Sequence, residues 1–349
     1  MHPAHSSHRG LGGEEYLDRP VIELTPDPAL IATRRILVTG AGGSIGRALL
    51  AQIASLGAGR IGILDQNDAT LYEAHRAQPE TEAFLGSVAD HGFVESVFDR
   101  FAPDLVLHSA AYKIVPLVEN QLVESCKTNI SATASLAEAA AAHGVRDFVF
   151  VSSYEAHEPK NVFGRTKRLA ELLLTRVAGQ FPATRFGSVR FSLVLGSAGS
   201  VLQRFEQLAR AGKPLPVTDP EAERFLCTLG EAAGAVLSSI GLTETGGVIT
   251  LDAGTPVKVL ALAERINREF KNPAGIVWIG ARPGEKLRES PLALGAGLSP
   301  SRIPNLLLTD VVPWQAAVHA EPAAELATAL AEYRPVDAAQ ALERLSALA

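Results

Sequence analysis

Ile36-Leu37-Val38-Thr39-Gly40-Ala41-Gly42-Gly43-Ser44-Ile45-Gly46 decides the fold of this chain. Its short apolar run reads as a strand buried on both faces. A glycine-rich turn follows, and the apolar spacing from Ile45 to Leu56 reads as a helix. Gly40, Gly43 and Gly46 form Gly-x-x-Gly-x-x-Gly, a spacing variant of the dinucleotide-binding turn. Glycine lets the backbone turn tightly and approach a pyrophosphate. The helix opened by Ser44 and Ile45 then offers unpaired N–H groups and the positive end of its dipole. Asp65 follows the next apolar run, Ile61-Gly62-Ile63-Leu64, about 20 residues past the turn. A carboxylate there accepts hydrogen bonds from the adenosine ribose and repels a 2′-phosphate, so turn and acid together predict NAD rather than NADP.

Apolar runs and helical patterns go on alternating. A helix near Ala69 to Arg76 is followed by strands near Ala83-Phe84-Leu85 and at Leu105-Val106-Leu107. A helix over roughly 123–143 precedes Phe148-Val149-Phe150-Val151, and a helix near Thr166 to Gln180 precedes Ser188-Val189-Arg190-Phe191. The alternation predicts an α/β fold with a doubly wound parallel sheet. After residue 192, prolines at 214, 216, 220, 256, 283, 291, 300 and 304 punctuate shorter elements, which reads as a smaller mixed α/β lobe for substrate. The expected organisation is a disordered leader over 1–13, an arm over 14–33 and a dinucleotide-binding core over 34–191. The lobe then occupies mainly 192–310, with a strand near 248–251 returning to the core. A helical tail over 311–349 is interrupted at Pro335 and either covers a dimer face or caps the lobe.

Composition narrows the function. The chain has 349 residues and 47% hydrophobic content, enough for a large domain with its own core. A net charge of −6 without a basic run argues against nucleic acid. No apolar run approaches the roughly 20 residues of a membrane helix, which predicts no membrane partner. Cys126 and Cys227 stand apart from each other and from histidines. They suit a reducing, cytoplasmic setting and form no metal motif. His2, His5 and His8 lie in the polar leader, where no fixed partners would orient them for a metal.

The stretch Ser152-Ser153-Tyr154-Glu155-Ala156 through Phe163-Gly164-Arg165-Thr166-Lys167 resembles the catalytic strip of an extended short-chain dehydrogenase/reductase. Further motifs narrow the resemblance: Gly40 to Gly46, Leu64-Asp65, Leu71-Tyr72-Glu73, His108 to Lys113, Lys127-Thr128-Asn129, Gly196 to Val201 and Arg282-Pro283-Gly284-Glu285-Lys286. With these the chain resembles, from about Glu14 onward, the UDP-N-acetylglucosamine 4,6-dehydratase family of polysaccharide biosynthesis. Leu17-Asp18-Arg19-Pro20 is similar to the linker before the catalytic domain of that family's membrane-anchored members. The resemblance implies a Rossmann-type core, bound NAD(P), a UDP-sugar between core and lobe, and a homo-oligomer. It places Ser87, Val88, Ala110, Ala111 and Lys167 with the cofactor, beside Gly40, Gly43, Ser44, Ile45, Gly46 and Asp65. It places Lys113 at the sugar, Ser192 among the substrate contacts, and Ser200, Val201, Arg224, Arg282 and Glu285 at the nucleotide. Arginine forks and glycine-flanked backbone N–H groups are the groups that hold diphosphates.

The strip departs from the family pattern. Where the family reads Ser-Thr-Asp-Lys-Ala, Tyr154 replaces the Asp and Glu155 the Lys. Phe163 stands at the superfamily tyrosine, a position that long members of the family often fill with Met. Ile114 replaces a usual His, Ser192 an Asn and Ser87 an Asp. Dehydration needs oxidation at C4, a base for the acidified C5–H, an acid for the departing 6-hydroxyl, and reduction at C6. Glu155 sits where the related dTDP-glucose 4,6-dehydratases place a Glu as C5 base, so it is the expected base. Tyr154 is the expected proton shuttle, at C4 or C6, and Ser153 the expected partner of the 4-oxygen. Lys167 is expected to hold the nicotinamide ribose and to lower the pKa of a nearby phenol. Sequence alone leaves three readings: a dehydratase of a UDP-hexose or UDP-N-acetylhexosamine, an epimerase or other enzyme that begins by oxidising C4, and a non-catalytic sugar-nucleotide-binding homologue.

Overall fold

The structure is a computed structural model and describes residues 13–242, 246–281, 284–289, 297–310 and 320–347. Residues 1–12 of the expected leader, and Arg282, lie outside the described residues.

Six parallel strands carry the core: β1 (Arg35–Thr39), β2 (Arg60–Asp65), β3 (Glu82–Leu85), β4 (Leu105–His108), β5 (Asp147–Val151) and β6 (Arg185–Arg190). They lie in the order β3-β2-β1-β4-β5-β6, the doubly wound dinucleotide-binding arrangement, with the switch point between β1 and β4. The sheet then continues with Gly247–Leu251, parallel to β6, and with Leu306–Thr309 and Leu298–Pro300, both antiparallel to their neighbours. Every residue of β4 and β5 is buried, because helices cover both faces. Helices Ser44–Ser55 and Leu229–Ser238 pack on one face. Helices His91–Phe101, Ala132–Ala142 and Val162–Gln180 cover the other, over Phe148, Phe150 and Phe186. Each of those rings contributes about 1.5–3 kcal/mol relative to exposure.

Two of the differences from the sequence reading lie in core helices near the site. His91–Phe101 is unassigned there, although Asp90 caps it by accepting from the Phe93 N–H at 3.0 Å and its apolar positions are helically spaced. The helix read over roughly 123–143 is interrupted: Leu122–Cys126 passes through a π-turn at Lys127–Ser131 before Ala132–Ala142. Periodicity does not register the extra residue, which is characteristic of π-turns at functional sites. Here the turn faces Asn129 inward. Its Oδ1 accepts from the Tyr112 N–H, and its Nδ2 donates to the Tyr112 carbonyl and the Thr166 hydroxyl. One buried amide therefore ties the loop after β4 to the helix that carries Lys167.

The lobe builds a separate apolar cluster around Leu195, Leu202, Phe205, Leu215 and Ile266, which Tyr16 of the N-terminal arm joins. Arg19 straps the arm in place. It reaches both carboxylate oxygens of buried Glu231, at 2.6 and 3.1 Å, and the carbonyls of Leu226 and Ala253. Glu231 also completes a capping box with Thr228. The tail helices Ala320–Ala331 and Pro335–Ala347 pack against Leu122–Cys126 and Val162–Gln180, on the core rather than the lobe. No helix among the described residues is long and apolar enough to cross a membrane.

Candidate active site

The glycine turn lines a groove of about 180 Å³ with Gly40, Gly43, Ser44, Ile45, Gly46, Asp65, Val88, Ala110 and Ala111. Gly40 has φ +64°, and a Cβ there would stand 2.6 Å from the Ala110 nitrogen, so only glycine fits. Gly43 differs: the sole atom near a Cβ would be the Gly40 carbonyl oxygen at 3.1 Å. Its bare backbone therefore borders the groove at the helix N-terminus, as a pyrophosphate requires. Asp65 accepts from the N–H groups of Gly42 and Asn67, each at 3.0 Å, which fixes its carboxylate at the end of β2. Ser87 does not line the groove, although its neighbours Gly86 and Val88 do; its hydroxyl accepts from the Ala89 N–H instead. Beneath the turn, His108 links Thr39 to Thr133 through its two ring nitrogens at 2.7 and 3.0 Å. Complete burial pushes its pKa down to about 3, with the Lys167 charge adding to the effect, so the ring is neutral.

The groove opens into a second cavity of about 290 Å³ between core and lobe, and Ile45, Ser109, Ala111 and Lys113 line both. The second cavity collects Ser153, Tyr154, Glu155, Phe163 and Lys167 from the core with Ser192, Ser197, Ser200, Arg224 and Glu289. Two elements aim the strip. β5 ends at Val151, and Tyr154–Ala156 forms a single 3-10 turn in which the Ser153 hydroxyl accepts from the Glu155 N–H at 3.2 Å. A hydroxyl that accepts there still has its proton to donate into the cavity. Helix Val162–Gln180 starts where Asn161 caps it, its Oδ1 accepting from the Gly164 N–H at 2.8 Å, four residues earlier than the periodicity suggests.

Lys167 lies on the inner face of that helix. Its Nζ donates to the Val151 carbonyl at 2.9 Å and stands 4.4 Å from the centre of the Phe150 ring. Burial pushes its pKa down to about 7, against a smaller opposing effect of Glu171. Glu171 is itself held by Arg190 and the Ser152 hydroxyl. Phe163 borders the cavity where the superfamily tyrosine would stand, and its ring has no proton to transfer.

Tyr154 is buried between His157 and Phe225, with ring centroids 5.7 Å from each. Burial, then the nearby Glu289 carboxylate, pushes its pKa up to about 12. The expected lowering of a phenol pKa by Lys167 is thus not found. At neutral pH the Tyr154 hydroxyl is a proton donor. Glu155 accepts from Asn161 Nδ2 at 3.1 Å and lies 3.9 Å from Lys286 Nζ, which also donates to the His157 carbonyl. Lys286 belongs to the segment 284–289, so the lobe brings a cation to the strip position where the family lysine is replaced by Glu155.

The other expected residues divide. Lys113 lies between the two cavities and donates to Ser197 Oγ at 3.4 Å, with its pKa lowered by burial. Ser200 lines the larger cavity and caps the helix Val201–Arg210, while Val201 itself does not line it. Arg224 borders the cavity with Nη1 on the Glu223 and Leu287 carbonyls, and Glu285 lies outside the lining, 4.0 Å from Arg224. Ser44 accepts from the Ala198 N–H at 2.9 Å, which joins the glycine turn to the 196–201 loop. Among the residues that the sequence reading missed, with Asn161 and Lys286, is Glu289. It lies three positions past Lys286, and its proximity to that motif was the available signal.

The family described as "Polysaccharide biosynthesis protein" matches residues 36–307. The capsular polysaccharide biosynthesis protein CapD of Staphylococcus aureus is 38% identical over 79% of this chain, which spans about half the length of that relative (48%). A UDP-N-acetylglucosamine 4,6-dehydratase (inverting) of Campylobacter jejuni is 31% identical over 73% of this chain and 76% of its own length. Among solved structures, Pen from Bacillus thuringiensis superposes with a TM-score of 0.74 at 26% identity, over 80% of this chain and 90% of that one.

Proposed function

This chain belongs to the UDP-N-acetylglucosamine 4,6-dehydratase family of polysaccharide biosynthesis proteins, with a divergent catalytic strip, and on that premise we propose that it uses NAD to dehydrate a UDP-hexose or UDP-N-acetylhexosamine through a 4-keto intermediate. One observation carries the reading: Ser153, Tyr154, Glu155 and Lys167 line a single cavity that continues into the glycine-turn groove. The dinucleotide, when bound, supplies the oxidation at C4 and the reduction at C6. The chain supplies the remaining steps. Gly43 and the helix N-terminus receive the pyrophosphate, and Asp65 the adenosine ribose. Lys167 holds the nicotinamide ribose, and Ser153 donates to the 4-oxygen. Glu155 is the only carboxylate of the strip at the cavity and removes the C5 proton once the 4-ketone acidifies it. Tyr154, held protonated, donates to a sugar oxygen. Arg224 and the N–H groups of the 196–201 loop hold the diphosphate.

C4 epimerisation is the second reading. It needs only the redox half of the site, of which Lys167, the glycine turn and Asp65 are retained, whereas the Asp-Lys pair of the family is replaced by Tyr154 and Glu155. Incubation with NAD and a panel of UDP- and dTDP-sugars, followed by mass spectrometry and NMR, separates the two. Loss of water is expected, with C5 deuterium incorporation in the wild type that Glu155→Gln abolishes. An isomer at unchanged mass would replace dehydration by epimerisation. Saturable binding with every ligand returned unchanged would overturn both. Titration with NAD and NADP should show NAD preferred; a clear NADP preference would remove Asp65 from its role.

A further inference from the structure

The segment 284–289 docks on the catalytic strip at three points. The Gly284 carbonyl accepts from Asn161 Nδ2, Lys286 reaches the His157 carbonyl and Glu155, and Glu289 enters the cavity. Glu289 is 5% exposed. Its oxygens accept from the Ser192 hydroxyl at 2.6 Å and the Phe225 N–H at 2.8 Å, and Arg224 Nε is 4.0 Å away. Among the described residues, these contacts orient the carboxyl without a bidentate arginine of the kind that holds Glu171 ionised, Arg190. The charged and titratable groups whose charges act on or with it are Arg224, Lys286, Glu155, Tyr154 and Cys227. Burial outweighs the donors and raises its pKa.

The dehydration reading does not fix the donor to the departing 6-hydroxyl: Tyr154 reaches a sugar oxygen, but its phenol, pushed up to about 12, is a far weaker acid than a carboxyl. The family's strip Asp is Tyr154 here, and its Lys is Glu155, which is committed to C5–H. Loss of hydroxide from C6 needs a proton donor distinct from that base. We propose that Glu289 is the general acid for departure of the 6-hydroxyl, so that the proton-transfer pair of the strip has been redistributed between Glu155 on the core and Glu289 on the lobe. The inference rests on the dehydration reading above. In the step, Glu155 takes the C5 proton and the electron pair forms the C5=C6 bond. The C6–O bond breaks, and its oxygen takes the Glu289 proton and leaves as water. With the bound dinucleotide supplying the hydride that C6 would take, return of the Glu155 proton to C5 completes the 4-keto-6-deoxy sugar. The proton released from the 4-hydroxyl at the first oxidation passes to solvent, and Glu289, left as carboxylate, takes one back from solvent to close the cycle.

Glu289→Gln is isosteric and keeps an acceptor for Ser192 and Phe225. It is expected to bind UDP and to exchange C5–H for deuterium with the 4-keto sugar formed, while water loss falls about 100-fold or more. The wild-type rate should fall on the alkaline side as Glu289 loses its proton, and the glutamine variant should lack that limb. Glu289→Asp, the check should glutamine perturb folding, should retain the limb at a reduced rate. Dehydration by Glu289→Gln at the wild-type rate, or an unchanged alkaline limb, overturns the assignment while the dehydratase reading stands. A wild type that releases no water from any sugar nucleotide overturns the reading itself, and the acid role with it.

Discussion

At the residue scale, burial sets the proton chemistry of this site. Lys167, Tyr154 and Glu289 are all shifted toward their neutral forms, and desolvation is the largest cause for each. For Lys167 this has a measurable consequence. Its pKa falls from an ordinary 10.5 to about 7 on folding. Between those values the unfolded chain holds more protons than the folded one, so this group makes stability rise with pH through that window. Below about pH 7 the folded protein bears the full cost of a buried ammonium; above the ordinary lysine pKa it bears none. Lys167→Met should therefore unfold at higher urea than wild type near pH 6, and the difference should shrink toward pH 10. A difference independent of pH would mean that the lysine keeps its ordinary pKa on folding and stays charged across the window. The identities of Lys167, Phe163 and Glu155 were legible in the sequence as matches to, or departures from, a pattern. The state of Tyr154 was not, because its pKa is set by burial, to which the Phe225 ring contributes, and by the Glu289 carboxylate, both far away along the chain.

At the element scale, the helix Val162–Gln180 and the π-turn at Lys127–Ser131 hold the strip in register. Asn161 does two jobs: its Oδ1 caps the helix, and its Nδ2 joins Glu155 to the Gly284 carbonyl. Asn161→Ala should cost about 1–2 kcal/mol in denaturant unfolding, since it leaves the Gly164 N–H buried without its acceptor. It should also lower turnover more than nucleotide binding, because Glu155 loses its orienting donor. A loss of stability with unimpaired turnover would confine Asn161 to the cap. Strands and most helices were readable because apolar periodicity is a local signal. The π-turn was not, since one added residue leaves composition and spacing almost unchanged. The start of the Lys167 helix was also missed, because Gly164, Thr166 and Lys167 occupy its buried face early on and interrupt the apolar stripe.

At the scale of the whole molecule, the N-terminal arm is part of the lobe's architecture. Burial pushes the Glu231 carboxyl pKa up, but Arg19 and the N–H groups of Ile22 and Thr228 more than reverse that, so it lies below the usual range. Arg19→Ala leaves this carboxylate buried without its cation and should cost about 3–5 kcal/mol. The native pair contributes its stability above the ordinary carboxylate pKa and loses it as pH falls through the depressed value. The gap between variant and wild type should therefore be full at neutral pH and close in acid, which unfolding midpoints across that range would show; a gap unchanged in acid would assign the loss to packing of the arm. The sequence by itself determined the doubly wound core, the glycine turn with Asp65, and the family with its altered strip. Each is written in residues adjacent along the chain, where backbone sterics and apolar period act directly. Only the tertiary structure decided that the tail lies on the core, that Lys286 meets Glu155, and that Glu289 enters the cavity. Lys286 reaches its partner carbonyl across 129 residues of chain, and Glu289 reaches Phe225 across 64. Contacts at that separation follow from how core and lobe pack, and no local pattern encodes them.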